Sequence, residues 1–192
     1  MRRKTAVRKN PKPKKSRMNR TPEMKLLVTR AKGSPARPGK AELGAACLRA
    51  WAMIPPKRCP EAFKYTCLSL DVSLIDDAAM AEKNQTFMRH EGPTDVLSFP
   101  IADFDHERGS FHLGDVLIGF ETARREAAER RISVAEEVTR LCVHGFLHCM
   151  GYDDTTPAKR RTMFAIQEKA VLQSSSPLGG SWGIGVRGRR IR

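Results

Sequence analysis

An α+β fold, a small mixed β-sheet packed with about five helices, is what this sequence predicts, and three observations lead there. Segments of alternating, β-rich composition occur along the chain beside segments with apolar residues at helical spacing. The two kinds do not follow the strict βαβ alternation of an all-parallel sheet. The 192 residues, 40% hydrophobic and 29% charged, suit one globular domain with further sequence attached.

In chain order, Met24 to Thr29 (MKLLVT) reads as a first strand, and Arg30 to Gly39, with two Gly and two Pro, as a loop. Ala41 to Met53 is Ala/Leu-rich with helical spacing and stops before Pro55-Pro56. Tyr65 to Ile75 alternates and reads as a strand. Asp76 or Asp77 caps a helix running to about Met88. Val96 to Phe99 reads as a short strand closed by Pro100, Asp103 to Gly109 as a turn region, and Leu113 to Phe120 as another strand. Glu121 to Arg131 is a charged helix. Ser133, with Glu136 three residues on, has capping-box spacing. Val134, Val138, Leu141 and Leu147 give the helix that follows a buried stripe to Met150, and Gly151 ends it. A last helix starts at Asp154, Thr155 or Thr156, has Pro157 in its first turn, and runs to about Leu172.

Charge divides the chain more sharply than its formal total of +14 suggests. Residues 1–40 hold 15 Lys/Arg and one acid, and residues 177–192 hold four Arg and no acid, so the stretch between is mildly acidic. The expected organisation is a basic, disordered arm over 1–23, a folded domain over 24–173, and a Gly/Arg-rich disordered tail over 174–192. Such ends suit phosphate contact, although a solubility tail or a transit peptide has similar composition. Pro11 and Pro13 would interrupt the amphipathic helix of a transit peptide. No apolar run reaches the roughly 18 residues of a membrane span, and the first residues lack the apolar core of a secretory signal. The expectation is a cytoplasmic protein with no membrane partner. Five cysteines without CxxC spacing fit free thiols in a reducing compartment, acting as small buried hydrophobes.

The segment that speaks of chemistry is His144-Gly-Phe-Leu-His148-Cys-Met-Gly151-Tyr152-Asp153-Asp154. Histidines four apart on a helix share one face and can grip one metal ion. A third ligand six residues on cannot come from the same straight helix, because it would lie about 9 Å along the axis and rotated about 240°. Gly151 lets the chain fold back, so that Asp153 or Asp154 can return to the metal. The metalloprotease signature puts Glu directly after the first His. Here that residue is Gly145, which disfavours peptide hydrolysis.

This block resembles the signature of the YbeY family, HGxLHLxGYDH. Gly92 to Pro100 (GPTDVLSFP) is similar to the family's PTDVLSFP, and Leu113 to Ile118 (LGDVLI) to its LGD(I/V) strand. The order and spacing of the three blocks also fit. The resemblance implies a single-strand-specific metallo-endoribonuclease acting in rRNA 3′-end maturation and ribosome quality control. Its partners would be single-stranded rRNA and ribosomal particles, its cofactor one Zn²⁺, and its ligands His144, His148 and Asp154 at the end of a central helix. Two positions depart from the family. Asp154 stands where the family has a third His, which keeps zinc feasible and moves preference toward harder metals. Met88 stands where the family commonly carries Arg, with Arg89 beside it as the candidate for phosphate positioning. A non-catalytic RNA-binding protein with a structural metal and a metal-dependent peptidase are the alternatives. The ligand set also resembles that of non-haem iron oxygenases, whose motifs do not include the other two blocks.

Several polar residues have simpler readings. Asp95 and Asp115 are expected as strand-end hydrogen-bonders. Asp153 should orient a ligand or hold the turn, and Tyr152 should anchor the loop. His90, His106 and His112 are expected to be exposed and untethered. Met163, Phe164 and Glu168 are expected to dock the last helix.

Overall fold

In the computed structural model, residues 21–172 are described. Both basic ends, with the arm and tail boundaries expected for them, therefore fall wholly or mostly outside the described residues. The elements are β1 (Glu23–Arg30), α1 (Lys40–Trp51), β2 (Cys67–Ile75), α2 (Asp77–Met88), β3 (Val96–Asp105), β4 (Ser110–Gly119), α3 (Phe120–Arg130), α4 (Val134–Cys149) and α5 (Pro157–Leu172). The four strands form one mixed sheet in the order β1-β2-β4-β3. β1, β2 and β4 run parallel, and β3 pairs antiparallel to β4 at one edge. This is the α+β architecture the sequence predicts. No helix among the described residues is long and apolar enough to cross a membrane.

Local chemistry sets the helix ends. The Asp76 carboxylate accepts a hydrogen bond from Ala79 N at 2.8 Å, and the Ser133 hydroxyl accepts one from Glu136 N at 3.1 Å. Glu136 does not complete the reciprocal capping box; its carboxylate pairs with Arg140 instead, at 3.1 Å.

Alternation along β2 and β4 sends Leu68, Leu70, Val72, Leu74, Leu113, Val116 and Ile118 into one fully or almost fully buried face. The other face bears Ser69, Asp71 and Ser73. Helix α4 is the hub of the helical layer, touching β3, β4, α1, α3 and α5. Phe146, with no exposed surface, is among the largest side chains it buries. Truncating such a group to Ala typically costs about 3–5 kcal/mol. α4 can approach the sheet closely because residue 145 is glycine: a Cβ there would lie 2.6 Å from Val116 Cγ1.

Two elements differ from their expected forms: β4 starts at Ser110 rather than Leu113 and leaves Phe120 to α3, and β3 runs longer than expected. β3 does not stop at Pro100 but continues to Asp105, so the turn expected from Asp103 shrinks to the residues just before Ser110. Proline lacks the N–H a central strand needs, but β3 lies at the sheet edge, where one side of the backbone makes no ladder. The pairing register also shifts between Pro100 and Asp103, and Ala102 takes a positive φ of 55° there.

Candidate metal centre and its cleft

Near its C-terminus, α4 presents His144 and His148 on one face. Gly151 then turns the chain with φ +81°. Gly151 N donates to His148 O at 2.9 Å and Tyr152 N to Leu147 O at 3.0 Å, which is the Schellman pattern of a helix end. The reversal brings Asp154 back, and one ligand atom from each of His144, His148 and Asp154 lies within 4.8 Å of the others.

Hydrogen bonds fix which imidazole nitrogens face the centre. His144 Nδ1 lies 2.8 Å from Gln167 Oε1, and the Gln167 amide N donates to Glu168 at 3.0 Å. His148 Nδ1 lies 3.0 Å from the Tyr152 carbonyl. Both partners are acceptors, so each Nδ1 carries the proton and each Nε2 presents a lone pair. The two Nε2 atoms are 3.0 Å apart. Two lone pairs at that distance repel unless a cation lies near both. Neutral imidazoles steadied through Nδ1, with a nearby carboxylate, form a donor set that fits a divalent transition metal. Burial, and then the neighbouring His144, hold the His148 imidazole below its ordinary pKa, which favours the neutral, ligating form. Among the described residues this His/carboxylate set has three members.

The centre lies in the wall of a cleft of about 570 Å³, bounded also by Val96 to Phe99 of β3 and by Phe164 and Gln167 of α5. Deeper in the cleft is an ion network. Glu137 is fully buried; its Oε2 accepts from Arg140 at 2.7 Å, and its Oε1 lies 3.4 Å from Arg130 Nη1. Arg140 also pairs with Glu136 at 3.1 Å and with Glu168 at 3.0 Å, which ties α4 to α5. Burial opposes the Arg140 charge, but Glu168, Glu136 and Glu137 outweigh it and hold its pKa above the ordinary value. Burial, with the nearby Asp95 charge, lifts Glu126 above the usual carboxylate range.

The remaining sequence candidates fall as follows. Met88 lines the cleft, whereas Arg89 is exposed and ends α2 in a left-handed conformation with φ 59°, outside the lining. The cations that do line it are Arg130 and Arg140. Asp95 accepts from Val96 N at 2.8 Å and from the Thr94 hydroxyl at 2.9 Å, a strand-end role. Asp153 holds the turn through the Thr155 hydroxyl at 2.7 Å and Lys159 at 3.0 Å. Tyr152 is buried under the Arg58 guanidinium, 4.4 Å from its ring centre. Met163 is in the core, Glu168 pairs with Arg140, and Phe164 lies edge-on to His144. All five cysteines are free; Cys47, Cys142 and Cys149 are buried, and Cys59 and Cys67 are partly exposed.

His112 departs from its expected untethered state. Its ring bonds Ser69 through Nδ1 at 3.2 Å and Asp115 through Nε2 at 3.1 Å. Pairing with β2 places Ser69, and the irregularity in β4 turns Asp115, which stands mid-strand rather than at a strand end, to the same face, so local loop composition reveals neither partner. Gln167 is a further residue of the site, beyond those the motifs point to. Its signal was available, since it is the polar member of the buried stripe Met163, Gln167, Ala170 and Val171 on α5.

The family model described as Endoribonuclease YbeY matches residues 52–175, more than half of the chain. The chain is 44% identical over 105 residues to an Endoribonuclease YbeY of Synechococcus sp. (strain CC9605), across 53% of this chain and 63% of that relative. It is 41% identical over 110 residues to one of Aquifex aeolicus (strain VF5), across 57% of this chain and 71% of that relative. The match thus spans less than two thirds of the length of the Synechococcus protein. The solution structure of TM1509 from Thermotoga maritima aligns with a TM-score of 0.47 at 21% identity, covering 79% of this chain and 88% of that one.

Proposed function

This chain belongs to the YbeY endoribonuclease family, and on that premise we propose that it is a metal-dependent endoribonuclease that cleaves single-stranded RNA, with its biological role in rRNA 3′-end maturation and ribosome quality control in the cytoplasm. The observation that carries this reading is the convergence of His144 Nε2, His148 Nε2 and the Asp154 carboxylate in the wall of an open cleft. In this reading these three residues hold one Zn²⁺, or a harder divalent metal favoured by the Asp154 oxygen. Such an ion, when bound, polarises a phosphoryl oxygen and lowers the pKa of a coordinated water.

The chain's own residues do the rest. Gln167 and the Tyr152 carbonyl keep both imidazoles in the ligating tautomer. Arg130, half exposed in the cleft, is the guanidinium best placed to meet a phosphate, exchanging its contacts with Glu126 and Glu137 for the substrate. Arg89, the residue after the cleft-lining Met88, is outside the lining, so the phosphate-positioning role expected of it falls to Arg130. The basic ends supply salt-dependent, sequence-independent affinity for rRNA and ribosomal particles.

The peptidase alternative is weakened by position 145, where a glutamate side chain has no space beside Val116. The structural-metal alternative calls for a closed four-ligand site, whereas the cluster has three members among the described residues. The test is cleavage of a single-stranded RNA oligonucleotide by the metal-loaded full chain, beside a His144→Ala, His148→Ala variant verified as folded by circular dichroism. Cleavage by the first and none by the second is expected. Equal activity in both refutes the assignment.

A further inference from the structure

On the opposite face of the sheet from α4 lies a second group of ligating side chains. One ligand atom from each of Asp71, His112 and Asp115 lies within 4.8 Å of the others. We propose that these three residues form a second divalent-cation site, separate from the cleft and independent of the catalytic reading.

Strand register builds the group. Asp71 and Asp115 are direct partners on the parallel strands β2 and β4, in the middle of the sheet. On β4, the irregularity opposite Ser69 and Leu70 inserts Leu113 as an extra residue. That insertion puts His112 and Asp115, three apart, on the same face, where an unbroken strand would separate them. Two carboxylates directly opposite each other across a ladder repel. A neighbouring cation is Arg108, whose Nη1 lies 2.7 Å from Asp71 Oδ1 and which also pairs with Asp105. It sits on the turn before β4 with its side chain 42% exposed, a counter-charge that a divalent ion can replace.

His112 is held as a metal-ligating imidazole is held. Nδ1 is bonded to Ser69 Oγ, and Ser69 Oγ accepts in turn from Ser110 Oγ at 3.0 Å. Both serines are buried, so the ring orientation is fixed by hydroxyls that solvent does not reach. A hydroxyl can donate or accept. Ser69 therefore supports the ring with its proton on Nε2, bonded to Asp115, and equally with the proton on Nδ1 and the Nε2 lone pair on a metal. One imidazole with two carboxylates is a mixed donor set suited to Mn²⁺ or Zn²⁺.

The experiment is equilibrium dialysis of the full chain against Mn²⁺ alone, with elemental analysis of bound metal. Two ions per wild-type chain are expected, with one in the His144→Ala, His148→Ala variant and one in an Asp71→Asn, His112→Ala variant. Arg108→Ala should tighten the site that the Asp71 and His112 substitutions remove by about five- to tenfold, because it removes one competing positive charge. Arg108 is half exposed, so this variant does not depend on core packing. In wild-type protein, Mn²⁺ should also broaden the His112 ring resonances. Retention of both ions by the Asp71→Asn, His112→Ala variant would overturn the proposal. So would an Arg108→Ala variant with unchanged affinity together with unbroadened His112 resonances. Failure of the cleft site alone would instead appear as loss of the ion that the His144 and His148 substitutions control.

Discussion

Gly145→Ala tests whether the packing of α4 on the sheet sets the metal centre. In the native chain the Cβ of an alanine at 145 would lie 2.6 Å from Val116 Cγ1 and 2.8 Å from Cγ2. Carbon atoms pack comfortably at about 3.5–4.0 Å, so α4 must retreat by about 1 Å or Val116 must move. Val116 is β-branched, fully buried and on a central strand, which leaves it little freedom. Overpacking of this kind costs about 1–3 kcal/mol, and the better helix propensity of Ala returns up to about 1 kcal/mol. The expected net loss is about 1–2 kcal/mol, or a melting temperature lower by about 2–8 °C for a domain of this size. Because residue 145 lies between the two histidines, zinc affinity should fall as well. The assay is urea unfolding of Gly145→Ala, Val116→Ala and the double variant, with zinc titration of each. The double variant should recover stability relative to the sum of the singles, by about 1 kcal/mol or more. A Gly145→Ala protein as stable as wild type, or strict additivity in the cycle, would show that the close approach does not constrain α4.

Four further outcomes follow from the same geometry. Gln167→Leu should weaken metal binding by about 10–100-fold while leaving the fold intact, as measured by competition with a chromogenic chelator. Arg140→Leu should destabilise by about 3–5 kcal/mol in urea unfolding, because it leaves Glu137 charged and buried without its closest partner. The folded-state pKa of His148 is depressed, so its contribution to the stability of metal-free protein is present above the ordinary value of 6.5 and is lost as pH falls through the folded pKa. Melting temperatures below pH 6.5 should therefore drop more steeply for wild type than for His148→Asn. Deleting residues 1–22, which hold ten Lys/Arg, should flatten the slope of log affinity against log salt for single-stranded RNA. An unchanged slope would make the arm a bystander in binding.

Much of the fold was legible because its signals are local. Asp76 and Ser133 announce helix starts through short side chains that meet backbone amides three residues on. Gly151 announces a helix end because a left-handed residue was needed there. Pro100 was misleading because proline excludes a central strand but not an edge strand, and edge position is a property of the whole sheet. His112 was misleading for a related reason: its partner Ser69 is 43 residues away in sequence and adjacent only across a ladder.

The linear order of residues thus determined the helices, most strands, and the candidate ligands His144, His148 and Asp154, because one helical face and one glycine bend are enough to bring them near each other. Only the tertiary structure decided what orients and surrounds them: Gln167 from α5, the cleft against β3, the Arg140 ion network, and the Asp71–His112–Asp115 group. Those contacts join segments that are distant along the chain. Their geometry depends on strand order, register and helix packing, which no short-range pattern encodes.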